Sequence, residues 1–390
     1  MLTEASLYVH VPFCVGSCDY CDFYSIPLKP EDPRKEFFVE TVLSEAERLF
    51  NAYRPERIPT LFIGGGTPSV LGPVWIRRLL FGLSRLIARA SIPPDEITIE
   101  ANPESADEAF LAAIREGGVT RLSLGVQSFY APSRQAVHRT GDEALLPERL
   151  ALAAKYFPGA FSADLISGLP LQDEKVLLDD IAALAGYSPA HISLYALTVE
   201  KGSPMEIDRD KADSLWLYGR DALESRGFRQ YEVSNFCLKG RESQHNIRYW
   251  RLRNWLALGP AASGTIIDDE NGTGFRYTIP PDVDRWLAAG GCEFSKKSGL
   301  NPTSEELNVM TMIKETFLMG FRYAEGPDEG LFQKRFRREI SDCLPETLKA
   351  WQDRRLLQKN KCALTKEALL FLDPLLLEVF RELDSLFSVY

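Results

Sequence analysis

The sequence predicts an α/β protein: parallel strands joined by crossover helices, then a smaller, mostly helical C-terminal part. Two observations carry this. Six short apolar runs alternate with amphipathic stretches between residue 7 and about residue 197, the mark of strands connected by helices. Glycine-rich and polar groups follow these runs, which puts them at the C-terminal end of the strands, the reactive end of such folds. Six repeats imply a partial or complete barrel.

In order, the runs are "LYVHV", "PTLFIGGG", "EITIEANP", "RLSLGVQSF", "FSADLISGLP" and "HISLYALTV". Helical spacing appears over 34–50, where Phe38, Val42, Ala46 and Leu49 share a face, and again over 73–90, 104–116 and 145–156. Beyond residue 201 the pattern changes. Residues 212–227 read as a helix, "FRQYEVSNF" as a strand, and 241–262 is crowded with aromatics and arginines. Segments 269–273 and 278–284 read as loops. From 303 onward the chain is mostly helical, with a short strand and turn in "CALTKEALLFL" before a last helix. The expected organisation is a barrel core over 1–210, an extension over 211–294 and a separate domain of winged-helix-like pattern over 295–390.

With 390 residues, 45% of them hydrophobic, the chain can bury a large core without disulfides. A net charge of −10 argues against a general nucleic-acid binder. The opening "MLTEASLYVHVPF" lacks the apolar stretch of a secretory signal, and no window matches the ~18 apolar residues of a membrane span. The expectation is a cytoplasmic protein with reduced thiols, no nucleic-acid partner and no membrane span.

Reduced thiols give meaning to "CVGSCDYC", which sets Cys14, Cys18 and Cys21 within eight positions. Clustered thiolates bind metal or do redox chemistry. Structural zinc asks for four ligands, but Cys237, Cys292, Cys343 and Cys362 are scattered singly, and His10 sits at a strand position. Three thiolates with no evident fourth suit an iron–sulfur cubane with one open iron. Zinc stays open as the alternative.

Further candidates follow the strands. Gly64, Gly65 and Gly66 either admit a ligand close to the backbone or simply make a tight turn. Glu100 either faces a ligand or joins Asn102 and Ser105 in capping the next helix. In "HNIRYW", the His245 imidazole, the flat rings of Tyr249 and Trp250, and nearby Arg241, Arg248, Arg251 and Arg253 fit a heme with its propionates. On the residues alone, an aromatic helix packed on the strands, with its arginines reaching solvent, fits them better.

The Cys-x3-Cys-x2-Cys spacing, with Tyr20 before the last cysteine, resembles the cluster motif of radical S-adenosylmethionine (SAM) proteins. The order of "LYVHVPFC", "GGGTPS", "IEANPE", "LGVQSF", "DLISGLP" and "YEVSNF" is similar to one group of them. That group contains oxygen-independent coproporphyrinogen dehydrogenase and the heme chaperone branch HemW, and the resemblance covers residues 7–263.

The resemblance implies a partial (β/α)6 radical SAM barrel and a 4Fe–4S cluster on Cys14, Cys18 and Cys21. It implies SAM contacts from Tyr8, Gly65, Gly66, Thr67, Glu100 and Gln127, with Arg139 toward the SAM carboxylate and Asp164 toward the ribose. In the superfamily an electron from the cluster cleaves SAM to a deoxyadenosyl radical. Phe23 stands where the dehydrogenase has a further cysteine, and only thirteen residues precede Cys14, against a long arm in that enzyme. "HNIRYW" matches the chaperone's His-Asn-x-x-Tyr-Trp element. These features imply heme held through His245, a heme-accepting partner such as a membrane-associated respiratory protein, and a reductant for the cluster. Oxidative decarboxylation of coproporphyrinogen III, in porphyrin biosynthesis, is the alternative. One departure is Ser263, in "LGPAASGT", where the family usually has histidine.

Overall fold

In β1 (Ser6–Val11), Leu7, Val9 and Val11 join the main hydrophobic core, so Ser6, Tyr8 and His10 face the other way. The same alternation runs through β2 (Thr60–Gly65), β3 (Glu96–Ala101), β4 (Arg121–Gln127), β5 (Phe161–Ser167) and β6 (His191–Ala196). These six strands pair in parallel and in chain order, as their sequences predict. The structure is a computed structural model that describes residues 2–90, 92–198, 208–294 and 299–387.

Later segments widen the sheet at both edges. β7 (Arg229–Gln230) and β8 (Asn235–Cys237) form an antiparallel hairpin against β6, so "FRQYEVSNF" holds two short strands rather than one. β9 (Trp255–Leu258) returns to pair in parallel with β1. The antiparallel strands β10 (Ser263–Asp268), β11 (Thr273–Thr278) and β12 (Thr303–Leu307) follow it. The order is β12-β11-β10-β9-β1-β2-β3-β4-β5-β6-β8-β7, an open and mostly parallel sheet rather than a closed barrel. Four residues are too few for β9 to show a period within 241–262. β12 was hidden in a stretch that reads as helical because four of its five residues are exposed at the sheet edge.

Helices α1 (Arg34–Tyr53), α2 (Gly72–Ile87), α3 (Glu108–Glu116), α4 (Ala131–Ala136), α5 (Leu146–Tyr156), α6 (Glu174–Ala185) and α7 (Arg209–Ser225) intervene. All but the short α4 bury apolar faces in the main core. Their starts are local chemistry: Asp107, Asp173 and Asp208 accept from the amides of Phe110, Val176 and Lys211. The opposite face of the sheet is left to polar side chains, among them Thr60, Glu100, Ser123, Asp164 and Ser193.

Helices Val309–Gly320, Glu329–Phe336, Pro345–Asp353 and Leu372–Phe387 build a second cluster, which also takes in Leu252, Trp255 and Ile267. The boundary expected at 295 falls on residues 295–298, outside the described residues. No helix among the described residues is long and apolar enough to cross a membrane.

Candidate functional site

A cavity of about 430 Å³ lies at the C-terminal ends of the parallel strands. Cys14, Cys18 and Cys21 reach it from the loop after β1, Gly65, Gly66 and Thr67 from the end of β2, and Glu100 from β3. Gln127 ends β4, Asp164 lies on β5, and Arg139 comes from the turn after α4. Tyr8 and His245 are the two expected site residues that do not line it.

Hydrogen bonds near both ends hold the cysteine loop. Asp19 N–H donates to the Val137 carbonyl (3.1 Å), and the Asp19 carboxylate meets His138 Nδ1 (2.9 Å), beside Arg139. At the other end of the loop the Tyr24 carbonyl accepts from His10 Nε2 (2.8 Å). His10 Nδ1 is then the bare nitrogen and accepts from the Tyr8 hydroxyl (3.0 Å). His10 was legible only as a strand residue; its ring proves to lie behind the glycine turn. Gly65 has φ +111°, and a Cβ there would sit 2.7 Å from His10 Nδ1. A Cβ on Gly66 would meet the Phe13 carbonyl at 2.5 Å. The turn's own amides are engaged: Gly65 N–H with Glu100 Oε2 (3.2 Å), Gly66 N–H with Val11 O and Thr67 N–H with Phe13 O. Any backbone contact from this turn to a ligand must therefore use carbonyl oxygens, which suits an ammonium group.

Asp22, Glu100 and Asp164 line the cavity, and the last two are deeply buried. Burial first, and then the neighbouring Asp164, push the Glu100 carboxyl up to about 8, against the lowering effect of Gly65 N–H. Burial also raises Asp164, to about 6, opposed by the hydroxyls of Ser193 and Ser123. Arg139, 9% exposed, donates through Nη2 to Asn102 Oδ1 (2.9 Å) and to the Gly125 carbonyl (2.8 Å). Gln127 has φ +69° where β4 slips register against β5, a bulge at the strand end beside the cavity. Among the described residues no three His, Cys, Asp or Glu side chains converge as a single metal ion requires. The three thiols border a shared cavity instead, which suits a multi-iron cluster better than one zinc ion.

His245 lies on α8 (Gln244–Trp250), at the N-terminal ends of β2 and β3, the opposite end of the strands from the cysteines. The Glu96 carboxylate accepts from the amides of Gln244 (3.1 Å) and His245 (3.0 Å), holding the helix start against β3. His245 is 1% exposed, its ring 5.0 Å from both Phe62 and Tyr249. Its Nδ1 lies 2.8 Å from Thr60 Oγ1, which itself donates to Ser6. Nδ1 therefore carries the proton, and Nε2 is a buried lone pair with no partner. Burial, then Arg248, depress this imidazole to about 3. Of the nearby arginines, Arg248 pairs with Glu4 and Arg253 with Asp328. Ser263 hydrogen-bonds Thr278 between β10 and β11.

Residues 8–182 match the profile of the radical SAM superfamily. The heme chaperone HemW of Escherichia coli (strain K12) is 35% identical over 276 residues, 68% of this chain and 71% of its own length. The chain belongs to the radical SAM superfamily, with the HemW proteins. The mouse mitochondrial radical S-adenosyl methionine domain-containing protein 1 is 34% identical over 82% of this chain and 73% of its own. Coproporphyrinogen III oxidase (HemN) from Escherichia coli, a radical SAM enzyme, superposes with a TM-score of 0.78, covering 97% of this chain and 90% of that one. At 19% identity that likeness speaks for the fold. Radical SAM membership implies a 4Fe–4S cluster and SAM, and the thiols, acids and guanidinium of the cavity fit both.

Proposed function

We propose that the protein holds a 4Fe–4S cluster on Cys14, Cys18 and Cys21, binds SAM in the cavity, and carries heme through His245 to an acceptor heme protein in the cytoplasm or at a membrane. The heme chaperones among its relatives support this. A cluster held by these cysteines would supply an electron to the SAM sulfonium. The chain's own residues bind and orient SAM: Glu100 and the glycine turn toward the ammonium, Arg139 toward the carboxylate, Asp164 toward the ribose hydroxyls.

The observation that carries the heme assignment is the bare Nε2 of His245, neutral at physiological pH and already the correct tautomer for an iron ligand. Because that nitrogen is enclosed, heme reaches it only when α8 lifts from β2 and β3. Heme titration of the reconstituted protein should give a Soret shift that His245→Ala abolishes while far-UV circular dichroism holds. Anaerobic formation of protoporphyrinogen from coproporphyrinogen III and SAM, without heme uptake, identifies the decarboxylating enzyme instead.

A further inference from the structure

A run of polar groups joins the SAM side of the cavity to one cysteine, and with Cys14 bound to iron its hydrogens can be assigned in one way only. Arg139 Nη2 donates to Asn102 Oδ1 at 2.9 Å. A guanidinium cannot accept, so the amide oxygen faces Arg139 and the amide nitrogen faces Thr67. Asn102 Nδ2 donates to Thr67 Oγ1 at 3.0 Å. The Thr67 hydroxyl hydrogen must then point elsewhere, and Cys14 Sγ lies 3.1 Å away. A cysteine that ligates iron has lost its proton and can only accept. Thr67 is 2% exposed and Arg139 9%, so solvent scarcely competes with the run.

We infer that the Thr67 side chain is a positioning residue for the cluster, donating its hydroxyl to the Cys14 thiolate under polarisation from Asn102 and Arg139. This rests on the cluster reading above. Reduction adds one electron and so one negative charge, and a donor to a ligating sulfur favours the more negative state. The hydroxyl therefore raises the cluster's midpoint potential. Arg139 is also the group assigned to the SAM carboxylate, so the run connects ligand binding to a cluster sulfur.

The test is a redox titration with dithionite, read by electron paramagnetic resonance, on the anaerobically reconstituted full chain, with iron measured for each variant. Thr67→Val should shift the midpoint downward, and Thr67→Ser should restore the wild-type value. Asn102→Leu should shift it downward by less, and the double variant should match Thr67→Val alone, because Asn102 acts through Thr67. A wild-type midpoint in Thr67→Val overturns the inference, as does an Asn102→Leu shift that persists on top of it. If Thr67→Val fails to hold iron, Asn102→Leu decides: a lowered midpoint supports the run and an unchanged one overturns it. A wild type without iron overturns the cluster reading and this inference together, whereas an iron-loaded wild type with an unmoved Thr67→Val sinks this inference alone.

Discussion

Glu100, held near pKa 8, keeps its proton at neutral pH, while Asp164, near 6, has mostly lost its own. An arriving ammonium favours the ionised form of Glu100, so SAM affinity should climb as pH rises toward about 8 and fall once the ammonium itself loses its proton. Glu100→Gln should weaken binding and flatten that dependence in calorimetric titrations from pH 6.5 to 9. The stability sign follows from the raised pKa. Burying the carboxyl costs nothing below its unfolded value of 4.5, and the cost grows until pH passes about 8. Ligand-free Glu100→Gln should therefore melt higher than wild type at pH 8.5 and no higher at pH 4.5. Glu100 was visible in the sequence because it ends an apolar strand. Tyr8, an expected ligand contact, does not line the cavity and donates to His10. Nothing near His10 in sequence announces Tyr24 or the glycine turn, because the cysteine loop brings the first and the pairing of β2 with β1 the second.

At the scale of elements, α1 depends on Glu45, a carboxylate fully buried in the core. It accepts from the Gly259 amide (2.8 Å), the Trp286 indole (2.8 Å) and the Cys292 amide (2.7 Å). Glu45→Ala strands three buried donors, so denaturant unfolding should show a loss of about 3–5 kcal/mol. Glu45→Gln keeps one acceptor oxygen and should cost less. On α8, Ser243→Ala removes the side-chain cap on the Asn246 amide and should cost about 1 kcal/mol in the same measurement. Helical periodicity identified α1 but not this role, since Glu45 sits beside Ala46 and Leu49 like any polar neighbour of an apolar stripe. Long periodic segments were legible throughout. Short ones such as β9, defined by their partner β1 rather than by their own pattern, were not.

For the whole molecule, the second hydrophobic cluster is inseparable from the sheet, because Leu252, Trp255 and Ile267 complete it from the strand side. A chain stopped after Asn308 should expose those side chains and aggregate, as light scattering at micromolar concentration will detect. The six-strand order was readable because each strand pairs with the next; the return of β9 to β1 was not, since it closes a long-range contact. That return has a bearing on biogenesis. The cysteines leave the ribosome long before the groups that steady their surroundings: β9 beside β1, and the Val283 amide that donates to the Tyr24 hydroxyl. At roughly 5–20 residues per second, translation separates the two events by roughly ten to fifty seconds. A newborn chain thus displays three thiols on an unfinished scaffold for that interval, and iron delivery and oxygen damage compete for them until the late strand arrives.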